Sequence, residues 1–194
     1  DAMNPDVFPL LHADGRPFRP ATQASALAKY SRSWESMREI IAKMTDEDGE
    51  RFQEKYDVGW GHSSVGELAA VPYCFEGVSI IASKFLERPQ RAGYSEKSTR
   101  YQVFTRNSFI NPPGSHPSLR QAADVLYNAY EQLTGPVTEY FRRKLGAIKV
   151  GDSVIKARAF DSLRYLLPAG TGTNLAAVLN ARDARHLMNG LLGS

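Results

Sequence analysis

The chain has 194 residues, of which 42% are hydrophobic and 10% aromatic, so it is long enough for one globular domain with a sizeable core. Its net charge of +3 is compatible with an anionic small ligand but is too small to indicate a nucleic-acid partner. There is no apolar run long enough to span a bilayer, no signal peptide and only one cysteine, so we expect a cytoplasmic protein with no membrane partner and no internal disulfide.

The N-terminal third is predicted to be largely helical after an irregular start. Residues 1–22 carry four of the 11 prolines and show no clear period, which indicates an irregular arm. From Leu27 onward, helical spacing predicts one helix whose buried stripe consists of Tyr30, Trp34, Met37, Ile41 and Met44. The charged segment 45–56 is predicted to be a short helix opened by Asp46, and the glycine-rich stretch 59–66 to be a turn that can approach a ligand closely.

The middle of the chain combines strands and helices. Residues 68–75 are typical of a buried strand, which Pro72 moves towards a sheet edge or a bulge. A helix over 79–86 leads into a basic loop, and alternation over 101–104 predicts a short strand after it.

The C-terminal half is predicted to hold four helices and a strand. An amphipathic helix runs through Leu119 and Leu133 until Gly135-Pro136 stops it, and a second covers 137–148. The remaining elements are a helix capped by Asp152 or Ser153 that ends at Pro168, a strand over 173–179 and a helix over 180–192. We therefore predict an α/β fold of mixed α+β type in which helices pack on a small sheet, with one domain over residues 23–194.

The basic loop 87–101 concentrates most of the polar chemistry. It carries four cations (Arg88, Arg91, Lys97 and Arg100) among five hydroxyl side chains, and Pro89 disfavours a long helix through it. Arginine presents a rigid fork of donors that fits two phosphate oxygens at once. A solvated surface loop whose charges pair with Glu87 and Glu96 is the alternative.

Two later segments add cations that could serve an anionic ligand. Arg164 lies near the apolar side of the predicted helix 153–167, so it either meets an anion or extends to water. Arg182, Arg185 and His186 lie at the start of the last helix, where the helix dipole disfavours cations and favours a bound anion such as a diphosphate. Asp183 partly offsets these charges.

The cysteine and histidines give no sign of a metal site. Cys74 lies in an apolar run and is expected to be a small buried residue. The four histidines are scattered without metal-ligand spacing, so we predict no metal.

Taken together, the motifs resemble those of the flavin-dependent thymidylate synthases, the ThyX family. The resemblance rests on the order and spacing of GHSSVGE (Gly61–Glu67), EGVS (Glu76–Ser79), YSEKSTRY (Tyr94–Tyr101), RYLLP (Arg164–Pro168) and NAR (Asn180–Arg182). It covers roughly residues 58–190 and is more specific than any single motif.

The resemblance implies a homotetramer with active sites between subunits, FAD as cofactor, and NADPH and methylenetetrahydrofolate as cosubstrates for C5 methylation of a uridine monophosphate. Arg88, Ser98, Arg100 and Arg164 would contact the nucleotide, and Glu96 would be a catalytic residue beside them, facing the ring or the flavin. The flavin site would be lined by His62, Ser64, Arg91, Asn180, Arg182 and His186. In this family, methylation uses reduced flavin rather than a cysteine thiolate, which agrees with a chain whose one cysteine is predicted to be buried.

Several positions depart from the family pattern. Where the family has Arg-His-Arg, this chain has Arg88-Pro89-Gln90, and Arg91 is the residue that could take over part of the flavin contact. The family's activating arginine falls on Leu191, which leaves Arg185 as the nearby substitute. These changes favour a specialised relative, similar to the enzymes that methylate UMP as well as dUMP for nucleoside antibiotics. A half-domain of a tandem, degenerate ThyX-like protein is the alternative.

Two other functions remain open at this stage. A catalytically degenerate ThyX-like protein that only binds nucleotides would explain the altered Arg-His-Arg. A basic RNA-binding module is the third, but the chain lacks interleaved aromatics and a recognisable nucleic-acid motif.

Overall fold

The protein is described by a computed structural model over residues 8–12, 14–54, 63–146, 148 and 150–193. Within these residues it forms eight α-helices and three strands, which confirms the mixed α/β fold. The helices are α1 (Pro20–Tyr30), α2 (Met37–Lys43), α3 (Asp46–Gln53), α4 (Ser63–Gly66), α5 (Ile80–Leu86), α6 (Pro117–Leu145), α7 (Asp152–Leu163) and α8 (Ala181–Leu192). The strands are β1 (Ala70–Ser79), β2 (Gly93–Glu96) and β3 (Gly172–Asn180).

The chain divides into two compact units. The first contains residues 1–73, 91–93 and 178–194, and the second contains residues 74–90 and 94–177. Helices α1 to α4 and α8 belong to the first unit, whereas α5, α6, α7 and most of the three strands belong to the second. No helix within the described residues is both long and apolar enough to cross a membrane.

In the first unit, the single helix predicted from Leu27 is in fact two helices. Helix α1 begins at Pro20, within the last residues of the predicted arm, because proline is well suited to the first helical position. Helix α2 starts anew after Ser36, whose side chain forms a capping box with Glu39. Trp34 is consequently fully exposed rather than part of a buried stripe.

The core of the first unit is built from small side chains. Gly49 of α3 faces α1 so closely that a Cβ atom at this position would lie 2.6 Å from the Thr22 Cα atom. The predicted short helix is confirmed as α3, and the Thr22 hydroxyl donates a hydrogen bond to Asp46 Oδ1 (2.7 Å) in its first turn. The buried residues Ala24, Ala28, Val65 and Ala69 pack together with Phe52 and Ala181.

The sheet has the strand order β1-β3-β2. Strand β1 is an edge strand, as Pro72 predicted, but it is largely exposed rather than buried, and Cys74 is exposed too. The predicted strand over 101–104 is wrong, because β2 forms at Gly93–Glu96 inside the basic loop. There the Lys97 backbone N–H donates to the Asn174 carbonyl (2.9 Å), so the pairing partner, not local alternation, selects the strand.

Helix α6 runs unbroken for 29 residues in the second unit, so the stop predicted at Gly135-Pro136 is wrong. A proline inside a helix costs about 3 kcal/mol or more. Packing on both sides of this point offsets the cost, because Tyr130 before it and Val137 and Phe141 after it all contact the core around Phe160.

Arg164 follows directly after helix α7 in the second unit. Helix α7 ends at Leu163, earlier than predicted, and a single 3-10 turn over Arg164–Leu166 precedes Pro168. Its buried residues Ala159, Phe160 and Leu163 pack with Tyr130 of α6. Strand β3 and helix α8 match the predictions for residues 173–179 and 180–192.

Candidate functional site

A cavity of about 360 Å³ in the second unit is lined by most of the residues that were predicted to contact the nucleotide. We call it the Arg100 cavity. It is lined by Ile80, Lys84, Glu96, Lys97, Ser98, Thr99, Arg100, Arg164 and Thr173. These residues bring four cations and one carboxylate together with three hydroxyls, a set that favours a small ligand carrying negative charge. The volume is within the range of small-molecule sites.

Two side chains of helix α5 bind the carboxylate of Glu96 in this cavity. Ser79 caps the helix by accepting a hydrogen bond from the Ala82 N–H (3.1 Å). One turn later, the fully buried Ser83 donates from its hydroxyl to Glu96 Oε1 (2.6 Å), and Lys84 Nζ donates to Glu96 Oε2 (3.0 Å). Glu96 is therefore held in place by two donors.

The ammonium group of Lys84 is shared between two carboxylates. Its Nζ also donates to Glu87 Oε2 (2.8 Å). The hydrogen bond to Glu87, followed by the hydrogen bond and charge of Glu96, raises the pKa of Lys84 above its usual value, so this side chain stays a cation at neutral pH.

Asp161, on the last turn of α7, connects the two arginines of the cavity. Its Oδ1 atom lies 3.0 Å from Arg100 Nε and 3.6 Å from Arg164 Nη1. Arg100 Nε is buried, and its contact with Asp161 is an ion pair rather than an aligned hydrogen bond. Within the described residues, neither terminal nitrogen of Arg100 makes a hydrogen bond, so both can serve a ligand.

The structure thus brings four of the predicted residues together: Glu96, Ser98, Arg100 and Arg164. Arg88 is not among the residues that line the cavity, and its guanidinium lies over the Phe85 ring, 5.3 Å from the ring centroid. Lys84, Asp161 and Thr173 also belong to this site but were not predicted from the sequence. The spacing of three residues between Asp161 and Arg164, both within the predicted helix 153–167, was a signal in the sequence for that pair.

A second polar group lies in the first unit, at the start of α8. We call it the Arg182 cluster; it contains Glu67, Arg91, Asn180, Arg182 and Asp183. Arg91 reaches Glu67 Oε1 (3.2 Å) and Asp183 Oδ1 (3.1 Å), and Arg182 Nη1 also pairs with Glu67 Oε1. Asn180 caps the helix through the Asp183 N–H (2.8 Å) and donates to the Asp183 carboxylate (2.8 Å).

The carboxylates of Glu67 and Asp183 neutralise much of the positive charge of Arg91 and Arg182 in this cluster. The hydrogen bond and charge of Asp183, followed by the charge of Glu67, raise the pKa of Arg91. Within the described residues, Arg182 forms its ion pair and hydrogen bond through Nη1 alone, which leaves its Nε and Nη2 donors for a ligand. The cluster joins three of the predicted flavin residues, namely Arg91, Asn180 and Arg182.

The remaining predicted residues are not part of either group. Ser64 lies in the short helix α4 and is exposed, and Arg185 and His186 are on the exposed side of α8. His62 lies outside the described residues. Within the part of the chain that is described, no group of three histidine, cysteine or acidic residues is placed to hold a metal ion.

Comparison with known proteins identifies the family. The model of the thymidylate synthase complementing protein family matches residues 17–192, nearly the whole chain. The chain belongs to this family. It is 26% identical over 183 residues to the flavin-dependent thymidylate synthase of Thermococcus kodakarensis, a match that covers 92% of this chain and 67% of that relative.

Another protein similar to this chain is considerably longer. The UPF0159 protein of Chlamydia pneumoniae is 29% identical over 227 residues, and the match covers 98% of this chain but only 42% of the relative. The chain therefore spans less than half the length of this relative.

Two solved structures share the fold. A UMP/dUMP methylase, PolB from Streptomyces cacaoi, bound with 5-Br dUMP, superposes with a TM-score of 0.56 at 19% identity, covering 89% of this chain and 73% of that chain. ThyX from Helicobacter pylori, solved with FAD and dUMP, gives a TM-score of 0.51 at 17% identity, covering 88% and 78%. At these identities the likeness concerns the fold alone.

Proposed function

We propose that this protein catalyses FAD-dependent C5 methylation of a uridine monophosphate, UMP or dUMP, with methylenetetrahydrofolate as one-carbon donor and NADPH as reductant. The observation that carries the proposal is the Arg100 cavity, where four cations and three hydroxyls surround a space large enough for part of a nucleotide. Membership of the thymidylate synthase complementing protein family supports it.

Four residues of the Arg100 cavity, Glu96, Ser98, Arg100 and Arg164, have roles that follow from their chemistry. Arg100 and Arg164 offer guanidinium donors to the phosphate, and Ser98 can add a hydroxyl donor. Cations near the ring would stabilise the negative charge that develops on the uracil when C5 acts as nucleophile. Glu96 would accept a hydrogen bond from the ligand, and its contacts with Ser83 and Lys84 support this role because they fix its carboxylate.

We assign the FAD site to the Arg182 cluster, with Ser64, His186 and His62 as further candidate contacts. The donor set fits an anionic cofactor, because Asn180 and two guanidinium groups meet at a helix N-terminus. Bound FAD would supply the reducing equivalents that turn a transferred methylene group into a methyl group. Arg185, in the same unit, is the candidate for the family's activating arginine.

A turnover assay tests the proposal. The purified protein is incubated with FAD, NADPH, methylenetetrahydrofolate and either UMP or dUMP, and the nucleotide is analysed by mass spectrometry. We expect a product 14 mass units heavier, the increment of one methyl group in place of hydrogen, roughly in step with NADPH consumption. The absence of product with both nucleotides would refute the proposal.

A nucleotide-binding protein without catalysis is the second candidate function. Two observations favour it: Pro89-Gln90 replaces part of the family's Arg-His-Arg, and Glu67 and Asp183 already occupy the arginines of the Arg182 cluster. The visible absorbance of the purified protein separates the two candidates. A yellow protein that retains FAD supports the enzyme, whereas a colourless protein that takes up no added FAD but binds UMP supports the alternative.

The Arg100→Ala substitution probes nucleotide binding in either case. We expect it to weaken UMP binding by about 1.5–3 kcal/mol, the range for hydrogen bonds to charged groups, measured by isothermal titration calorimetry. Arg106→Ala is the matched control, because Arg106 contacts Asn128 and Glu131 and does not line the cavity. An unchanged dissociation constant for Arg100→Ala would remove Arg100 from the site.

We also propose that the protein assembles as a homotetramer with active sites between subunits. An apolar stripe on α6 supports assembly: Leu119, Leu126, Leu133 and Tyr140 recur every seven residues and are 37–51% exposed. Such a heptad repeat is typical of a helix that packs against another helix.

A further inference from the structure

The carboxylate of Asp161 contacts both arginines of the cavity, Arg100 and Arg164. It contacts Arg100 Nε (3.0 Å) and Arg164 Nη1 (3.6 Å) through the same oxygen, Oδ1, and is only 23% exposed, compared with 42% and 40% for the arginine side chains. Asp161 is not one of the residues lining the cavity, whereas both arginines are. The carboxylate therefore holds the two guanidinium groups from outside the space that a ligand would fill.

The contacts leave the ligand-facing donors available. Asp161 engages Arg100 through Nε, so the two terminal nitrogens remain for a phosphate, and it engages Arg164 through Nη1 alone. Arginine carries several rotatable bonds, and fixing its side chain before binding removes part of the entropic cost of binding. A guanidinium held at one end binds a phosphate with its other donors in a defined orientation.

We propose that Asp161 is a positioning residue that orients Arg100 and Arg164 as a two-armed clamp for the phosphate of the uridine monophosphate. The inference rests on the proposed function. Two physical effects of Asp161 oppose each other. Its negative charge by itself repels a phosphate, so a purely electrostatic role predicts that removing the charge strengthens nucleotide binding, whereas orientation of the arginines predicts that binding becomes weaker.

The experiment compares UMP binding by the full chain and its variants, using isothermal titration calorimetry. We expect Asp161→Asn to raise the dissociation constant about tenfold, because misalignment of the arginines would cost about one hydrogen bond between a guanidinium and the charged phosphate. Asp161→Glu keeps the charge but moves the carboxylate by one methylene group, so it should raise the dissociation constant only severalfold. In an Arg100→Ala background, adding Asp161→Asn should weaken binding less than it does in the wild type, because one of the two arms is already absent.

Asp152→Asn is the matched control. Asp152 is also on α7 and also contacts two cations, Arg142 Nη2 (2.9 Å) and Lys156 Nζ (3.5 Å), but it does not contact the cavity arginines. We expect its UMP affinity to equal that of the wild type. Thermal unfolding of each variant separates lost affinity from lost folding.

The outcomes are distinct. If Asp161→Asn binds UMP as tightly as the wild type, or more tightly, the positioning role is overturned while the proposed function stands. If the wild-type protein binds neither UMP nor dUMP, the proposed function fails and this inference fails with it. Should Asp161→Asn not fold, Asp161→Glu decides: unchanged affinity overturns the proposal, and severalfold weaker binding supports it.

Discussion

Two threonines at the start of β3 have similar burial but different hydrogen bonding. Thr171, just before the strand, and Thr173 within it are both buried, at 0% and 2% exposure. The Thr171 hydroxyl lies 2.7 Å from the Tyr127 hydroxyl, so the two groups satisfy each other inside the core. The Thr173 hydroxyl is buried but has no hydrogen-bond partner among the described residues.

This difference predicts opposite outcomes for the same substitution. Thr171→Val leaves the buried Tyr127 hydroxyl unpaired, and we expect it to lower the free energy of unfolding by about 1–3 kcal/mol. Thr173→Val removes a hydroxyl that is already unpaired, so the free energy of unfolding should stay the same or increase. Urea unfolding of both variants measures this. A comparable loss in Thr173→Val would contradict an unpaired hydroxyl at that position.

At the scale of elements, two helical glycines have contrasting surroundings. Gly135 lies within α6 with no atom within 4 Å of the position its Cβ would occupy, whereas Gly49 of α3 faces the Thr22 backbone at 2.6 Å. Glycine in a helix is generally unfavourable relative to alanine because it loses more backbone entropy on folding. The space around each glycine decides whether replacement by alanine can remove that penalty without a steric clash.

Alanine substitutions at Gly135 and Gly49 test whether the surrounding space sets the effect on stability. We expect Gly135→Ala to raise the free energy of unfolding by about 0.5–1 kcal/mol. Gly49→Ala should lower it by about 1–3 kcal/mol, because the methyl group forces α1 and α3 apart. The change in thermal midpoint of the two variants gives the comparison, and stabilisation by Gly49→Ala would show that α1 and α3 can separate at no cost.

At the scale of the whole molecule, assembly is the property most open to test. If another subunit covers the apolar stripe of α6, Leu126→Glu buries a charge in the interface. We therefore expect this variant to form a smaller species than the wild type, measured by light scattering coupled to size-exclusion chromatography. Val125→Glu is the control, because Val125 is 67% exposed and lies beside the stripe rather than on it. An identical mass for the wild type and Leu126→Glu would exclude this stripe from the interface.

The sequence by itself determined the family, the mixed α/β fold and the elements whose signals are local, such as α3, α5, β3 and α8. Caps and spacing act within a few residues, so they can be read without a structure. The convergence of Ser98, Arg100 and Arg164 followed from the order of the motifs, not from any one of them. The positions of Arg88 and Cys74 could not be read in this way.

Only the tertiary structure decided the rest. Helix α6 continues through Pro136 because side chains on both sides of it pack on α7, and β2 forms where β3 offers a partner rather than where the sequence alternates. The pairing of Arg91 with Asp183, and of Arg100 with Asp161, joins residues far apart in the chain. Such contacts depend on how distant segments pack, and that packing is a property of the folded chain as a whole.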